Sequence, residues 1–391
     1  MRSSLVWIMA IASGVTVANL YYNQPLLAIM AQDFQVSADV VGFIPMLTQM
    51  GYAVGILLFV PLGDLVERRR LIVTMLGATA VASALAALSL NIIWLIGASF
   101  AIGMTAIAAQ VIVPFAAYLA KPQERGKVIG FVMSGLLIGI LLARTVSGFV
   151  GATLGWQAMY WIASGTMVGL AVILSKVLPE SKPALKTSYP DLMGSLWKLV
   201  VEQPILREAA LIGALSFGAF SAFWSTLVFF LGRFPHPYGS EVAGLFGLVG
   251  VVGAVAAPLV GKLADRSGSK LMVGVGIATT TFSFLVFWGL GHQIWGLMVG
   301  VILLDLGVQT TQISNQAGIY SLPQGIHSRL NALYIMFYFV GGAIGSFLGA
   351  YGWSRWHWNG VCGLSLLLLM VAFAVFLGNK QNRHFLASPT K

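Results

Sequence analysis

Polar residues fall in short clusters along this chain, and between them run apolar stretches of roughly twenty residues, the length a helix needs to cross hydrocarbon. The stretches cover 5–30, 40–62, 71–90, 92–120, 128–151, 157–178, 207–232, 241–261, 271–290, 294–320, 330–352 and 356–378. Lipid offers the backbone no hydrogen-bond partners, so the pattern predicts twelve transmembrane α-helices and an all-α membrane protein. The first stretch follows Arg2 without a small-residue cleavage site and is read as span 1, not as a removed leader.

Composition sharpens this picture. Of 391 residues, 58% are hydrophobic and 9% are charged, against about a quarter charged in soluble domains. Alternate breaks are basic: Arg68 to Arg70, Lys121 to Lys127, Lys176 to Arg207, Lys262 to Lys270, Arg329, and the tail from Lys380. With Arg2 they hold 19 of the 22 basic residues, while the opposite breaks hold Arg233 and Arg355 and Arg144 lies inside a span. The positive-inside bias places both termini in the cytoplasm and accounts for the net charge of +10 without nucleic acid. The single cysteine, Cys362, excludes an intrachain disulfide or cysteine metal site.

The longest polar break carries Pro183, Pro190 and Pro204 and reads as a cytoplasmic linker at 179–206, with a short amphipathic helix around Leu192 to Val201. It separates an N-terminal six-helix bundle, 1–178, from a C-terminal one, 207–378, followed by a cytoplasmic tail at 379–391. Features recur across it: Asp64 and Asp265 are 201 positions apart, as are Pro122-Gln123 and Pro323-Gln324, and Gly155-Trp156 and Gly352-Trp353 are 197 apart. Each pair is expected in corresponding breaks of two pseudo-symmetric halves, the layout in which transporters hold substrate at the bilayer midplane.

The break after span 8 reads Gly261-Lys262-Leu263-Ala264-Asp265-Arg266-Ser267-Gly268-Ser269-Lys270. It resembles the G-x-L-A-D-R-x-G-x-K signature of the major facilitator superfamily. The break after span 2 keeps Asp64 and the basic cluster Arg68, Arg69 and Arg70 but has Val60, Leu65 and Glu67 where the signature has glycine, arginine and glycine. The resemblance covers the whole chain, and the segment Asn19-Leu20-Tyr21-Tyr22-Asn23-Gln24-Pro25-Leu26 is similar to bacterial drug and sugar efflux permeases of the proton-antiporter type. It implies a cytoplasmic latch made by Asp64, Arg68 and Arg69 in one break and Gly261, Asp265, Arg266, Gly268 and Lys270 in the other, the glycines allowing close helix approach and the charges engaging each other or a helix end. The alternative is that these charges only fix topology. Two features of proton-coupled exporters are missing: Ser99 stands where span 4 often has arginine, and span 5 reads Gly139-Ile140-Leu141-Leu142-Ala143-Arg144 without Gly-Pro.

Two ionisable residues lie deep in spans, Arg144 in span 5 and Asp305 in span 10. A charge at bilayer depth is costly and marks a pathway or a paired site. Asp305 heads a stripe with Gln309, Gln312 and Gln316, spacings of 4, 3 and 4 that share one helical face. The expectation is a wet cavity face on which Asp305 carries a proton when occluded, because desolvation raises a carboxyl pKa and a nearby arginine lowers it. A permanent structural ion pair, or two charges satisfied by helix carbonyls, is the static alternative.

Further cavity candidates are Asn19, Tyr22 and Asn23 in span 1, Ser221 and Trp224 in span 7, and Asn331, Tyr334 and Tyr338 in span 11. Aromatic and amide groups together suit an amphipathic or hydroxylated small molecule. Tyr21, Trp353, Trp356 and Trp358 are expected as headgroup-level anchors. Gly135, Gly139 and Ala143, and Gly341, Gly342 and Gly345, form small-residue ridges for close helix crossing.

The chain has no HExxH, GxSxG or GxxxxGK[ST] motif, so enzyme chemistry and ATP use lack their usual parts. The expected function is export of a small amphipathic or sugar-like compound by alternating access across a bacterial inner membrane, as a monomer in lipid, with no cofactor or metal and a proton gradient as the energy source. The alternative is a uniporter or importer whose Asp305 and Arg144 bind substrate directly.

Overall fold

Every regular element among the described residues is a helix, as a backbone surrounded by lipid requires. The computed structural model describes residues 3–181, 188–250, 268–322 and 326–378. In the N-terminal part the helices are α1 (Ser3–Ala18), α2 (Leu27–Asp33), α3 (Ala38–Val41), α4 (Phe43–Phe59), α5 (Arg68–Ala87), α6 (Ile92–Thr105), α7 (Ala108–Leu119), α8 (Arg125–Leu154) and α9 (Trp156–Val177). Then follow α10 (Tyr189–Glu202), α11 (Pro204–Leu231), α12 (Ser240–Val249), α13 (Ser269–Leu290), α14 (Ile294–Ile319) and α15 (His327–Gly378).

Nine segments among the described residues are long and apolar enough to cross a membrane, and the last, Arg329–Gly378, holds two spans folded at one kink. The shorter apolar helices α1 and α12 complete the predicted twelve. The kink is at His357, whose φ of 53° breaks the helix. It lies four residues beyond the Gly352-Trp353 pair, which sits inside the helix and not at the expected break. Gly155 does make its break: at φ 83° it ends α8 and starts α9, a conformation open to glycine because it has no Cβ. Pro323-Gln324, Asp265, Gly261 and Arg266 lie outside the described residues.

Span 1 is not one continuous helix. Asn19 Nδ2 donates to Val15 O and Thr16 O at 3.0 Å, satisfying carbonyls at the end of α1. Pro25 has no N–H to continue the ladder, and the chain turns through Asn19 to Asn23 before α2. At the end of α2, Asp33 accepts from Trp156 Nε1 at 2.8 Å and Gln157 Nε2 at 3.2 Å, fixing that end to the start of α9.

Packing divides the chain into two compact units, Met1–Gly194 with Leu227–Leu248, and Ser195–Thr226 with Val249–Lys391. The segment 227–248 joins the first unit, unlike the layout along the chain, because α12 packs on α8: Ser240 Oγ donates to Gly148 O and Thr145 Oγ1 to Gly244 O, each at 3.0 Å.

The internal duplication is visible in helix crossings inside each unit. In the first, a Cβ at Gly135 would collide with Ala10 O, and one at Gly139 with Gly14 O. In the second, a Cβ at Gly341 would collide with Ala214 O, and one at Gly345 with Gly218 O. The partners correspond at fixed offsets: 204 positions for Ala10 to Ala214 and Gly14 to Gly218, and 206 for Gly135 to Gly341 and Gly139 to Gly345. The two glycine ridges therefore make the same crossing twice, span 1 against span 5 and span 7 against span 11.

Candidate functional site

In the first unit the turn between α1 and α2 brings a run of polar side chains against α4 and α8. Arg144 of α8 is 1% exposed. Its Nε donates to Gln24 Oε1 at 2.7 Å, and its guanidinium lies 4.8 Å from the centre of the Tyr21 ring. A delocalised, weakly hydrated guanidinium tolerates such amide and aromatic surroundings better than an ammonium would. Asn23 Nδ2 donates to Thr48 Oγ1 at 3.2 Å, and Gln110 Nε2 to Tyr52 Oη at 3.0 Å. Asn19 and Tyr22 are buried, Asn19 occupied with the end of α1 and with Met167 S at 3.6 Å. The helix-face relation expected for Asn19, Tyr22 and Asn23 is replaced by a turn.

Tyr21 is thus not a headgroup anchor but a buried platform under Arg144. Trp353 and Trp358 are buried too, Trp358 donating Nε1 to Phe287 O at 2.9 Å, whereas Trp356 is 57% exposed as an anchor requires.

In the second unit the stripe on α14 has a buried Asp305 and half-buried Gln309, Gln312 and Gln316, so one face of this helix is polar along about three turns. Asp305 is 8% exposed, and a Cβ built on Gly250 would lie 2.9 Å from its Oδ2. Lower on the same face, Gln316 Nε2 donates to Asn331 Oδ1 at 3.2 Å, and Tyr338 Oη reaches Gln312 Oε1 at 3.5 Å. Tyr338 stacks on Phe217 with centroids 4.0 Å apart, and Tyr334 tilts against it at 6.1 Å. Gln312 and Gln316 of span 10 thus meet Tyr338 and Asn331 of span 11, and Tyr338 in turn rests on Phe217. Ser221 and Trp224 lie buried on α11, Trp224 packed edge-on against Phe223 at 5.4 Å.

Sequence reasoning missed Gln24, Thr48, Tyr52, Gln110 and Gly250. Gln110 carried the signal that singled out the glutamines of span 10, an amide inside an apolar span. Gln24 was passed over beside two asparagines. Gly250 carried none, since its role depends on what faces it.

At the break after α4, Arg68 Nη2 pairs with Asp64 Oδ1 at 3.0 Å, Arg68 Nε donates to Gly63 O at 3.0 Å, and its guanidinium covers the Tyr118 ring at 5.1 Å. Arg69 reaches Glu180 at 3.3 Å and Leu178 O at 3.3 Å. Glu67 caps α5 by accepting from Arg69 N and Arg70 N, which places a carboxylate at the positive end of the helix dipole. These contacts all lie in the first unit. In the other break Gly268, at φ 87°, starts α13, and Lys270 lines a 150 Å³ cavity with Glu208, Ser314 and Asn315. No group of three or more metal-ligating side chains occurs among the described residues.

This chain belongs to the major facilitator superfamily, whose family model, described as Major Facilitator Superfamily, matches residues 9–324 and 236–388. It is 41% identical over 374 residues to the uncharacterized transporter YgaY of Escherichia coli O157:H7, covering 95% of each protein. It is 31% identical over 360 residues to "Probable transporter SCO4007" of Streptomyces coelicolor, covering 92% of this chain and 83% of that one. The fold is similar to that of a bacterial homologue of the human lysosomal transporter Spinster, crystallised inward-facing and unoccupied, with a TM-score of 0.78 at 14% identity over 100% of this chain and 99% of that one. The protein is a multi-pass membrane transporter and not an enzyme.

Proposed function

We propose that this transporter exports a small amphipathic or sugar-like compound by alternating access in exchange for protons, as a monomer in a bacterial inner membrane with both termini in the cytoplasm. The observation that carries the reading is Asp305: a carboxylate inside a span, packed against a glycine, at the head of a face that continues through three glutamines. A carboxylate at that depth is favoured when it exchanges a proton with a wet pathway. Arg144, held by Gln24 and Tyr21, is the second proposed coupling residue, since an opposite charge favours the ionised form of a carboxyl and its approach or withdrawal would bias proton release. The amides and aromatic rings in both units offer a hydroxylated, partly apolar molecule hydrogen bonds and stacking area together.

The proposal is tested by flux in reconstituted vesicles under imposed pH gradients with a panel of sugars, nucleosides, amino acids and amphipathic cations. Uptake of a panel compound into inside-acidic vesicles, collapsed by a protonophore, is the expected result. Equal flux with and without the gradient would instead favour a uniporter.

A further inference from the structure

A second site, separate from the polar faces, lies on the outer surface of the second unit. Beside the close crossing of α11 and α15 runs an apolar groove of 350 Å³, walled by Ala210, Ala214 and Gly218 on α11 and Phe337, Gly341 and Ile344 on α15. The small residues that permit the crossing also leave the groove open. Leu211 and Ile344 on its rim are nearly half exposed, so it opens to the surroundings of the helices.

One end of the groove is marked by charge. Arg207, exposed and donating Nη1 to Val201 O at 2.9 Å, lines it next to Val200. Here α10 ends, an amphipathic helix that buries Leu192, Leu196 and Leu199 and leaves Trp197 72% exposed, as at a membrane interface. Arg329 Nη1 donates to Ser195 Oγ at 3.0 Å and ties the start of α15 to α10, where Lys198 is paired with Glu202 at 3.7 Å and leaves Arg207 and Arg329 as the cations of this corner. From Arg207 to Gly218 the helix rises ~16 Å at 1.5 Å per residue, about half of a ~30 Å hydrocarbon core. The groove thus reaches from a basic interface to the bilayer centre, matching one acyl chain below an anionic headgroup.

We propose that this groove binds one anionic phospholipid of the adjoining leaflet, its acyl chain lying along α11 and its phosphate on Arg207. The test uses the full chain in nanodiscs of phosphatidylglycerol and phosphatidylcholine, 1:3, followed by native mass spectrometry of the released protein. One phosphatidylglycerol per chain is expected to stay bound in preference to phosphatidylcholine. Arg207→Gln should cut that preference about fivefold, the worth of one basic residue near an anionic surface, while Arg233→Gln, in a break on the opposite face by the charge pattern, should leave it unchanged. Leu211→Trp, which fills the groove from its rim without entering the crossing, should reduce retention of both lipids. Equal retention of the two lipids by the unaltered protein, or phosphatidylglycerol retention untouched by either Arg207→Gln or Leu211→Trp, overturns the site.

Discussion

The crossing of α4 with α6 in the first unit and the approach of Gly250 to α14 in the second occupy equivalent positions, yet they are built oppositely. Thr48 and Gly250 are 202 positions apart, and so are Gly103 and Asp305. In the first unit the glycine is on α6, and a Cβ at Gly103 would strike the Thr48 backbone carbonyl. In the second the glycine is at 250, and the space opposite it holds the Asp305 carboxylate. One half spends the missing side chain on bringing two backbones together, and the other spends it on housing an ionisable group. A duplicated scaffold can thus keep its crossings at the glycine ridges while one position turns from packing to chemistry.

Substitutions at the shared crossings are expected to have the largest effect. Gly139→Val and Gly345→Val each drive a side chain into the facing backbone, and overpacking of this kind costs about 1–3 kcal/mol or more. Both should lower folded yield and the melting temperature in detergent to a similar degree. A large loss in one half alone would break the equivalence of the two crossings.

The diverged positions should respond differently. Gly103→Ala meets backbone and should reduce stability, whereas Gly250→Ala meets the end of the Asp305 side chain, which can swing aside. Gly250→Ala is therefore expected to lose at least tenfold in transport rate while melting within about 1 kcal/mol of the parent. Comparable melting losses in the two variants would assign both glycines to packing.

Smaller effects belong to the supports. Gln24→Leu removes the acceptor of a buried guanidinium N–H, a charged hydrogen bond worth about 1.5–3 kcal/mol, and should lower the melting temperature and the transport rate together. Asp33→Ala removes the acceptor shared by Trp156 and Gln157 and should cost about 1 kcal/mol with transport little changed. Least of all, Arg68→Ala breaks a partly exposed pair at 3.0 Å and should shift stability by about 1 kcal/mol or less, seen as a small change in melting temperature.

The sequence made the spans legible because lipid enforces helix, and it made the polar stripe legible because spacings of 3 and 4 are visible in any apolar helix. It misjudged what depends on partners. Tyr21 carried the composition of an interface anchor, but Arg144 above its ring makes it a buried platform. The Asn19, Tyr22 and Asn23 face dissolved because Asn19 closes α1 and Pro25 cannot continue it. Gly352-Trp353 repeats Gly155-Trp156 in letters but not in geometry: Gly155 takes a positive φ, while Gly352 stays helical against Gly360 and the chain turns at His357. The glycine ridges were visible as small-residue spacing, and only their facing backbones, Ala10 with Gly14 and Ala214 with Gly218, show that they are copies of one crossing.

The most direct measurement compares Asp305→Asn with the unaltered protein in vesicles loaded with a transported compound, reading exchange without a gradient and accumulation under a pH gradient. If Asp305 is the group that carries the proton, the variant keeps exchange but no longer accumulates compound at any imposed gradient. Accumulation by Asp305→Asn with the pH dependence of the parent would contradict that role.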